Sequence, residues 1–223
     1  MHCVTNAPSI LTIRQASVRD IDAITDILTD SFCLKYRYSF GVNPSDTSEI
    51  LADLYRHGLI SLEETWVAES DAGVVGILIL HLPGKPITPP AISLWSMLRR
   101  HLSFAQSLKA FARCAVMHFV FEGRTVKSPI PYLNTLAVQH RHRSKGIGTR
   151  LLHEAMRIAD EAGCSKISLH VVDTNKGAIS LYQRMGFVEQ GTQRIGDRLA
   201  LALSWLACGR AGFKKAHWMV KSI

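Results

Sequence analysis

Val138-Gln139-His140-Arg141-His142-Arg143-Ser144-Lys145-Gly146-Ile147-Gly148-Thr149-Arg150-Leu151-Leu152 puts the end of an apolar run, a basic loop with two glycines and the start of a helix in immediate succession. The first amides of a helix lack intrahelical acceptors and its macrodipole is positive there, so an anion can lie on it where no side chain intervenes. Gly146 and Gly148 remove the intervening Cβ atoms. Ile147, Leu151, Ala155, Ile158 and Ala162 then recur at spacings of three and four, which predicts a buried helix face, and Gly163 is placed to end it. Two other glycine loops are excluded: a dinucleotide fingerprint needs a third glycine where Leu151 stands, and no GxxxxGK is present. The stretch is therefore an anion site or a plain strand-to-helix turn with Arg143 and Lys145 in solvent.

Working outward, Leu133 to Val138 and Ile167 to Val172 read as strands, with a helix from about Gly146 to Ala162 between them and another ending at Gly186. Strand and helix alternate there as a parallel βαβ unit requires. Towards the N-terminus, Ile10 to Ile13 is a short strand, and Ser17 with Asp20 forms a capping box for a helix whose apolar face is Ile21, Ile24, Leu28 and Phe32. Trp66 to Ala68 and Val74 to Leu80, joined through Ser70 to Gly73, form an antiparallel hairpin. From about 84 to 131, prolines bracket a helical insertion in which Leu94, Leu98, Leu102, Leu108, Phe111 and Ala115 recur near helical spacing. Phe187 to Val188 and His217 to Val220 are the last strands, separated by an apolar, helical segment at about 198–212 that includes Trp205 and Leu206. The prediction is a single α/β domain over residues 1–223.

The chain of 223 residues is 47% hydrophobic, enough for one domain with a large core. Twenty-six Lys and Arg against 18 Asp and Glu give a formal charge of +8, which favours anionic partners in general. The basic residues are scattered apart from Arg141, Arg143, Lys145 and Arg150, so no stripe of the kind that binds nucleic acid is present, and a nucleic-acid partner is not expected. Five widely spread cysteines without a CxxC pair read as reduced thiols. With no secretion signal in Met1 to Pro8 and no apolar run of about 20 residues, the expected location is cytoplasmic, without a membrane span. His140 and His142 lack the further ligands that zinc takes, so no metal is expected.

A second constellation lies downstream. Asn175, Ala178 and Tyr182 share one face of a short helix that stops at Gly186 before Phe187. With Arg143, Gly146 and Gly148, these residues resemble the GNAT acetyltransferases, whose acyl-CoA loop reads Arg or Gln, two residues, Gly, one residue, Gly or Ala. The resemblance runs from about Leu133 to Val188, and the opening strand, helix and hairpin have the order that the family implies.

The resemblance implies a GNAT fold: a mixed, mostly antiparallel sheet of six to seven strands, flanked by helices, with a splayed central parallel pair. It implies an acyltransferase that moves an acetyl group from acetyl-CoA, as co-substrate, to a primary amine by direct attack. The amides of Arg143, Ser144, Lys145, Gly146, Ile147, Gly148 and Thr149 would cradle the pyrophosphate. Leu136, Ala137 and Val138 would offer backbone groups to the pantetheine arm, supported by Asn175 and Ala178. Tyr182 would protonate the departing thiolate; its other reading is a half-buried packing residue. Many members carry a glutamate base on the strand before the loop, where this chain has Asn134; His170 and Asp173 are alternatives, and the base stays unassigned.

Phe32, Tyr36, Tyr38 and Phe40 are candidates to line the acceptor site, and the two extra segments either cap it, favouring a small molecule, or form a homodimer interface. Two rival functions remain: a non-catalytic acyl-CoA sensor, which Asn134 favours, and a protein- or ribosome-associated N-terminal acetyltransferase.

Overall fold

The computed structural model describes residues 11–84, 90–121, 129–194 and 215–223. The chain opens with β1 (Thr12–Gln15), two residues later than the apolar run suggests, because the strand is defined by its pairing with β2 (Thr65–Ser70). Arg14, at the centre of that pairing, bonds Glu69 across the strands at 2.7 Å and Asp20 at 2.8 Å. The capping box forms: the Ser17 backbone N–H and hydroxyl each donate to Asp20 Oδ2 at 2.8 Å. Behind it α1 (Ile21–Ser31) buries Ile21, Ile24 and Leu28 as expected.

Two helices for which the sequence analysis gives no expectation follow, α2 (Cys33–Phe40) and α3 (Pro44–Arg56). Their signals are present: Gly41 ends α2 at φ +73, and Asn43 caps α3 by accepting from the Asp46 N–H at 2.9 Å, with Pro44 in the first turn. The hairpin of β2 and β3 (Gly73–His81) is antiparallel, as predicted.

Within the insertion lie α4 (Ala91–His101) and α5 (Phe104–Phe121). Leu98 and Leu102 are buried and Leu94 and Phe111 partly so, but Leu108 and Ala115 face solvent. The buried face of α5 runs instead through Ser107, Ala110, Phe111 and Cys114, because it packs on α2 rather than on the sheet. The expected helical segment at 198–212 lies outside the described residues.

The chain continues with β4 (Tyr132–Val138), α6 (Ile147–Glu161), β5 (Lys166–Val172), α7 (Lys176–Arg184), β6 (Val188–Arg194) and β7 (Lys215–Ser222). All seven strands form one sheet in the order β1-β2-β3-β4-β5-β7-β6, in which only β4 and β5 are parallel neighbours. That pair is in register only at Tyr132 with Ser168 and Leu133 with Leu169. Beyond these points β4 stays bonded to β3 as far as Val138, and β5 to β7 as far as Val172. Each strand keeps its outer neighbour while the inner pair parts, so a wedge opens towards the carboxyl ends of β4 and β5. Side chains alternate between two cores: Val67, Ile77 and Ala137 face α1, α3 and the insertion, while Ala68, Leu78, Leu133 and Leu169 face α6 and α7.

Candidate functional site

At the open end of the wedge, β4 gives way to a 3-10 turn at His140–His142 and then to the glycine loop. Arg143 is exposed, yet its side chain is tied back to the strand end. Its Nε donates to the Val138 carbonyl at 3.0 Å, holding the loop on the last residue of β4, and its guanidinium reaches the Ser31 hydroxyl at 3.4 Å. Ser144 at φ +60 and Gly146 at φ +80 turn the backbone back over the strand end. Burial first, then the charges of Lys145 and Arg141, hold the His142 imidazole below its ordinary pKa, as an electropositive loop should.

Arg150 is the first residue whose amide meets a helical acceptor, the Gly146 carbonyl at 3.0 Å. The N–H groups of Ile147, Gly148 and Thr149 come before it and have no backbone partner among the described residues. A Cβ at Gly146 would meet nothing within 4 Å; one at Gly148 would make only ordinary contact, 3.4 Å from Leu181 and 4.0 Å from Val138. Packing within the chain does not fill the space over these amides. Their donor chemistry and the cations beside them fit a pyrophosphate.

The Gly148 contact to Leu181 sets α7 against the start of α6. Asn175 caps α7, its Oδ1 accepting from the Ala178 N–H at 3.2 Å, so part of this side chain serves the helix. Ala178 packs partly buried on the second core, and Tyr182 is buried in it, its ring 5.7 Å from Phe187. Burial pushes the Tyr182 phenol up to about 12, and its hydroxyl has no hydrogen-bond partner among the described residues. The hydroxyl therefore stays protonated far above neutral pH, as a proton donor must.

The other face of the wedge, opposite α6, carries Tyr132, His81, Asn134 and His170. Tyr132 and His170 meet edge to face at 5.7 Å across the parallel pair. Burial drives the His170 imidazole down to about 4 and leaves its Nδ1 without a partner, so at neutral pH it is uncharged and a weak proton acceptor. Asp173 takes its backbone N–H to the Lys215 carbonyl at the strand end. Asn134 points instead at His81, whose other nitrogen bonds Glu64; the sequence reading named neither, since they lie 53 and 70 positions earlier in the chain.

Phe32, Tyr36 and Phe40 form a ladder along α2, the first pair edge to face at 6.4 Å and the second stacked at 6.0 Å. Phe40 is buried in the first core and the other two are partly packed on it, so the ladder carries the insertion as much as it lines a site. The Tyr38 side chain lies outside what is described. Among the described residues no group of three or more His, Cys, Asp and Glu gathers in a metal-binding arrangement, and no helix is long and apolar enough to cross a membrane.

A mixed sheet split at one parallel pair, with unpartnered helix-start amides at the mouth of the split, defines an α/β fold of GNAT type. The sequence model of the Acetyltransferase (GNAT) family matches residues 22–187, and the chain belongs to that family. It is 42% identical over 57 residues to N-alpha-acetyltransferase 30 of Xenopus laevis, a stretch that is 26% of this chain and 21% of that protein. Thialysine N-epsilon-acetyltransferase of Bos taurus is 34% identical over 68 residues, 30% of this chain and 40% of that one. The chain thus matches well under half the length of these relatives. An N-acetyltransferase from Staphylococcus aureus Mu50 shares the fold at a TM-score of 0.63 and 17% identity, over 94% of this chain and 100% of that one.

Proposed function

We propose that this protein transfers an acetyl group from acetyl-CoA to a primary amine of a small molecule by direct attack. The observation that carries the reading is the run of unpartnered amides from Ile147 to Thr149 at the mouth of the β4–β5 wedge. Acetyl-CoA supplies an activated thioester. The glycine loop binds its pyrophosphate with the backbone of Arg143 to Thr149, and Arg143, tied to the Val138 carbonyl, keeps that loop on the strand end. Along the wedge, Leu136, Ala137 and Val138 lack a β5 partner, so their backbone groups on that side are available to a pantetheine amide, with Asn175 and Ala178 at the opposite wall. Tyr182 holds a proton for the departing sulfur in a buried setting that keeps the hydroxyl neutral. The amine attacks in a site from which water is largely excluded, and no covalent enzyme intermediate is required.

A small acceptor is the reading that the insertion suggests, since its helix α5 packs on α2 and adds a layer beside the aromatic residues there. An N-terminal amine is the second reading, supported by the likeness to the Xenopus N-alpha-acetyltransferase.

The test is a calorimetric titration with acetyl-CoA, followed in the same sample by thiol release with polyamines, amino acids, aminoglycosides and peptides. Binding with turnover establishes the transferase and its acceptor class. Binding without turnover on any amine makes the chain an acyl-CoA sensor, and absence of binding refutes the reading of the loop.

A further inference from the structure

Deepening the acetyltransferase reading and resting on it, we infer that the proton of the attacking amine is taken by His81, held between Glu64 and Asn134. The three residues come from three different segments. Glu64 sits in the turn just before β2, where its carbonyl also accepts from the Leu80 N–H at 3.0 Å. His81 is the last residue of β3, and Asn134 lies on β4 immediately after Leu133, the last residue paired with β5. Asn134 therefore stands where the wedge begins.

The hydrogen bonds run in one direction. Asn134 Nδ2 donates to His81 Nε2 at 3.0 Å, and His81 Nδ1 donates to Glu64 Oε2 at 2.8 Å. This leaves neutral His81 with its proton on Nδ1 and its Nε2 lone pair accepting the Asn134 N–H at the strand that borders the wedge, a bond that the arriving amine has to displace. Glu64 and His81 are both buried, at 5% and 8% exposure, and Glu64 Oε1 has no hydrogen-bond partner among the described residues, so the imidazole N–H is the side-chain donor that meets this carboxylate. The other groups facing His81 are Tyr132, its register partner on β4, and, beyond Tyr132, His170 on β5. Neither brings a formal charge at neutral pH.

The transfer balances. The amine nitrogen forms a bond to the acetyl carbon and loses one proton to His81 Nε2, while the carbon–sulfur bond breaks and the sulfur takes the Tyr182 proton. Asn134 turns its amide to offer Oδ1 to the new Nε2–H, and its role is positioning. The amide stands in place of a carboxylate because the charge sits one residue further back, on Glu64.

The experiment uses the intact protein with agmatine and with a peptide bearing a free N-terminus, comparing H81Q and E64Q with the unaltered enzyme. For H81Q we expect kcat/KM at least about 100-fold lower and the acidic limb of its pH profile gone, with acetyl-CoA affinity unchanged. E64Q keeps an acceptor for Nδ1–H but loses the charge, so the acidic limb should move to lower pH. A purely structural pair would lower the melting temperature and leave both limbs in place. If H81Q fails to fold, E64Q decides alone: an unmoved limb overturns the assignment. If the unaltered protein binds acetyl-CoA and acetylates neither amine nor any other in the panel, the transferase reading falls and this one with it. Turnover with unaltered pH profiles overturns only the dyad.

Discussion

Tyr182→Phe separates stability from chemistry in one substitution, because the structure predicts effects of opposite sign on the two. The ring is buried and its hydroxyl has no hydrogen-bond partner among the described residues, so the folded protein makes no internal hydrogen bond that the substitution would break. Removing the hydroxyl leaves the ring contact with Phe187 intact and should be neutral or stabilising by up to about 1 kcal/mol. For a chain of this length that is a rise in Tm of no more than about 4 °C. Turnover, by contrast, should fall by about 10²–10⁴ if the hydroxyl protonates the departing thiolate. That is roughly 3–5 kcal/mol of barrier. Acetyl-CoA affinity should hold, since the proposed site for the coenzyme's phosphates is the α6 amides and not this ring. The assay is thiol release at saturating acetyl-CoA beside a thermal melt and a calorimetric titration. Because burial raises the phenol to about 12, the unaltered enzyme should also show no loss of rate from Tyr182 deprotonation below about pH 11. Full turnover in Tyr182→Phe refutes the acid role. A collapse of Tm and rate together shows that the residue is chiefly a packing group.

Gly148→Glu, whose Cβ would lie 3.4 Å from Leu181, brings a carboxylate to the start of α6 and should abolish acetyl-CoA binding in a protein that still melts cooperatively; unchanged affinity by calorimetry refutes the pyrophosphate site. Asp20→Asn removes the negative charge and one of the two acceptor oxygens that Arg14 and Ser17 use, and should cost about 2 kcal/mol, seen as a Tm lower by roughly 4–8 °C. The Arg14 hydrogen bonds hold the Asp20 carboxyl well below the usual range, so this stabilisation is complete above its unfolded pKa near 4 and is lost as the pH falls towards the folded one. Acid melts should therefore bring the variant and the unaltered protein together at low pH.

Much of the architecture was legible because its signals are local. The Ser17–Asp20 box, the 66–80 hairpin, the 3.6-residue period of α6 from Ile147 to Ile158 and the stop of α7 each need fewer than about 20 neighbouring residues to form, and each is where the spacing puts it, although Ala162 at the end of the α6 stripe is exposed. The loop–helix anion site belongs to the same class, since a glycine at φ +80 and a helix start are consecutive in sequence. The α5 face was misread at Leu108 and Ala115 because periodicity marks an apolar stripe, and only the position of α2 decides which side of a helix is covered. Phe40 was read as lining and lies in the core for the same reason.

What the amino-acid sequence determines alone, then, is the set of elements and the loop that receives an anion, since both follow from backbone chemistry over short spans. Tertiary structure decided the insertion of β7 between β5 and β6 and the parting of β4 from β5 after two paired residues. It also decided the meeting of Glu64, His81 and Asn134 across separations of 17 and 53 residues. No residue pattern announces such contacts: a histidine on an apolar strand looks the same whether its nitrogen finds water, a carboxylate or an amide, and strand order chooses among them.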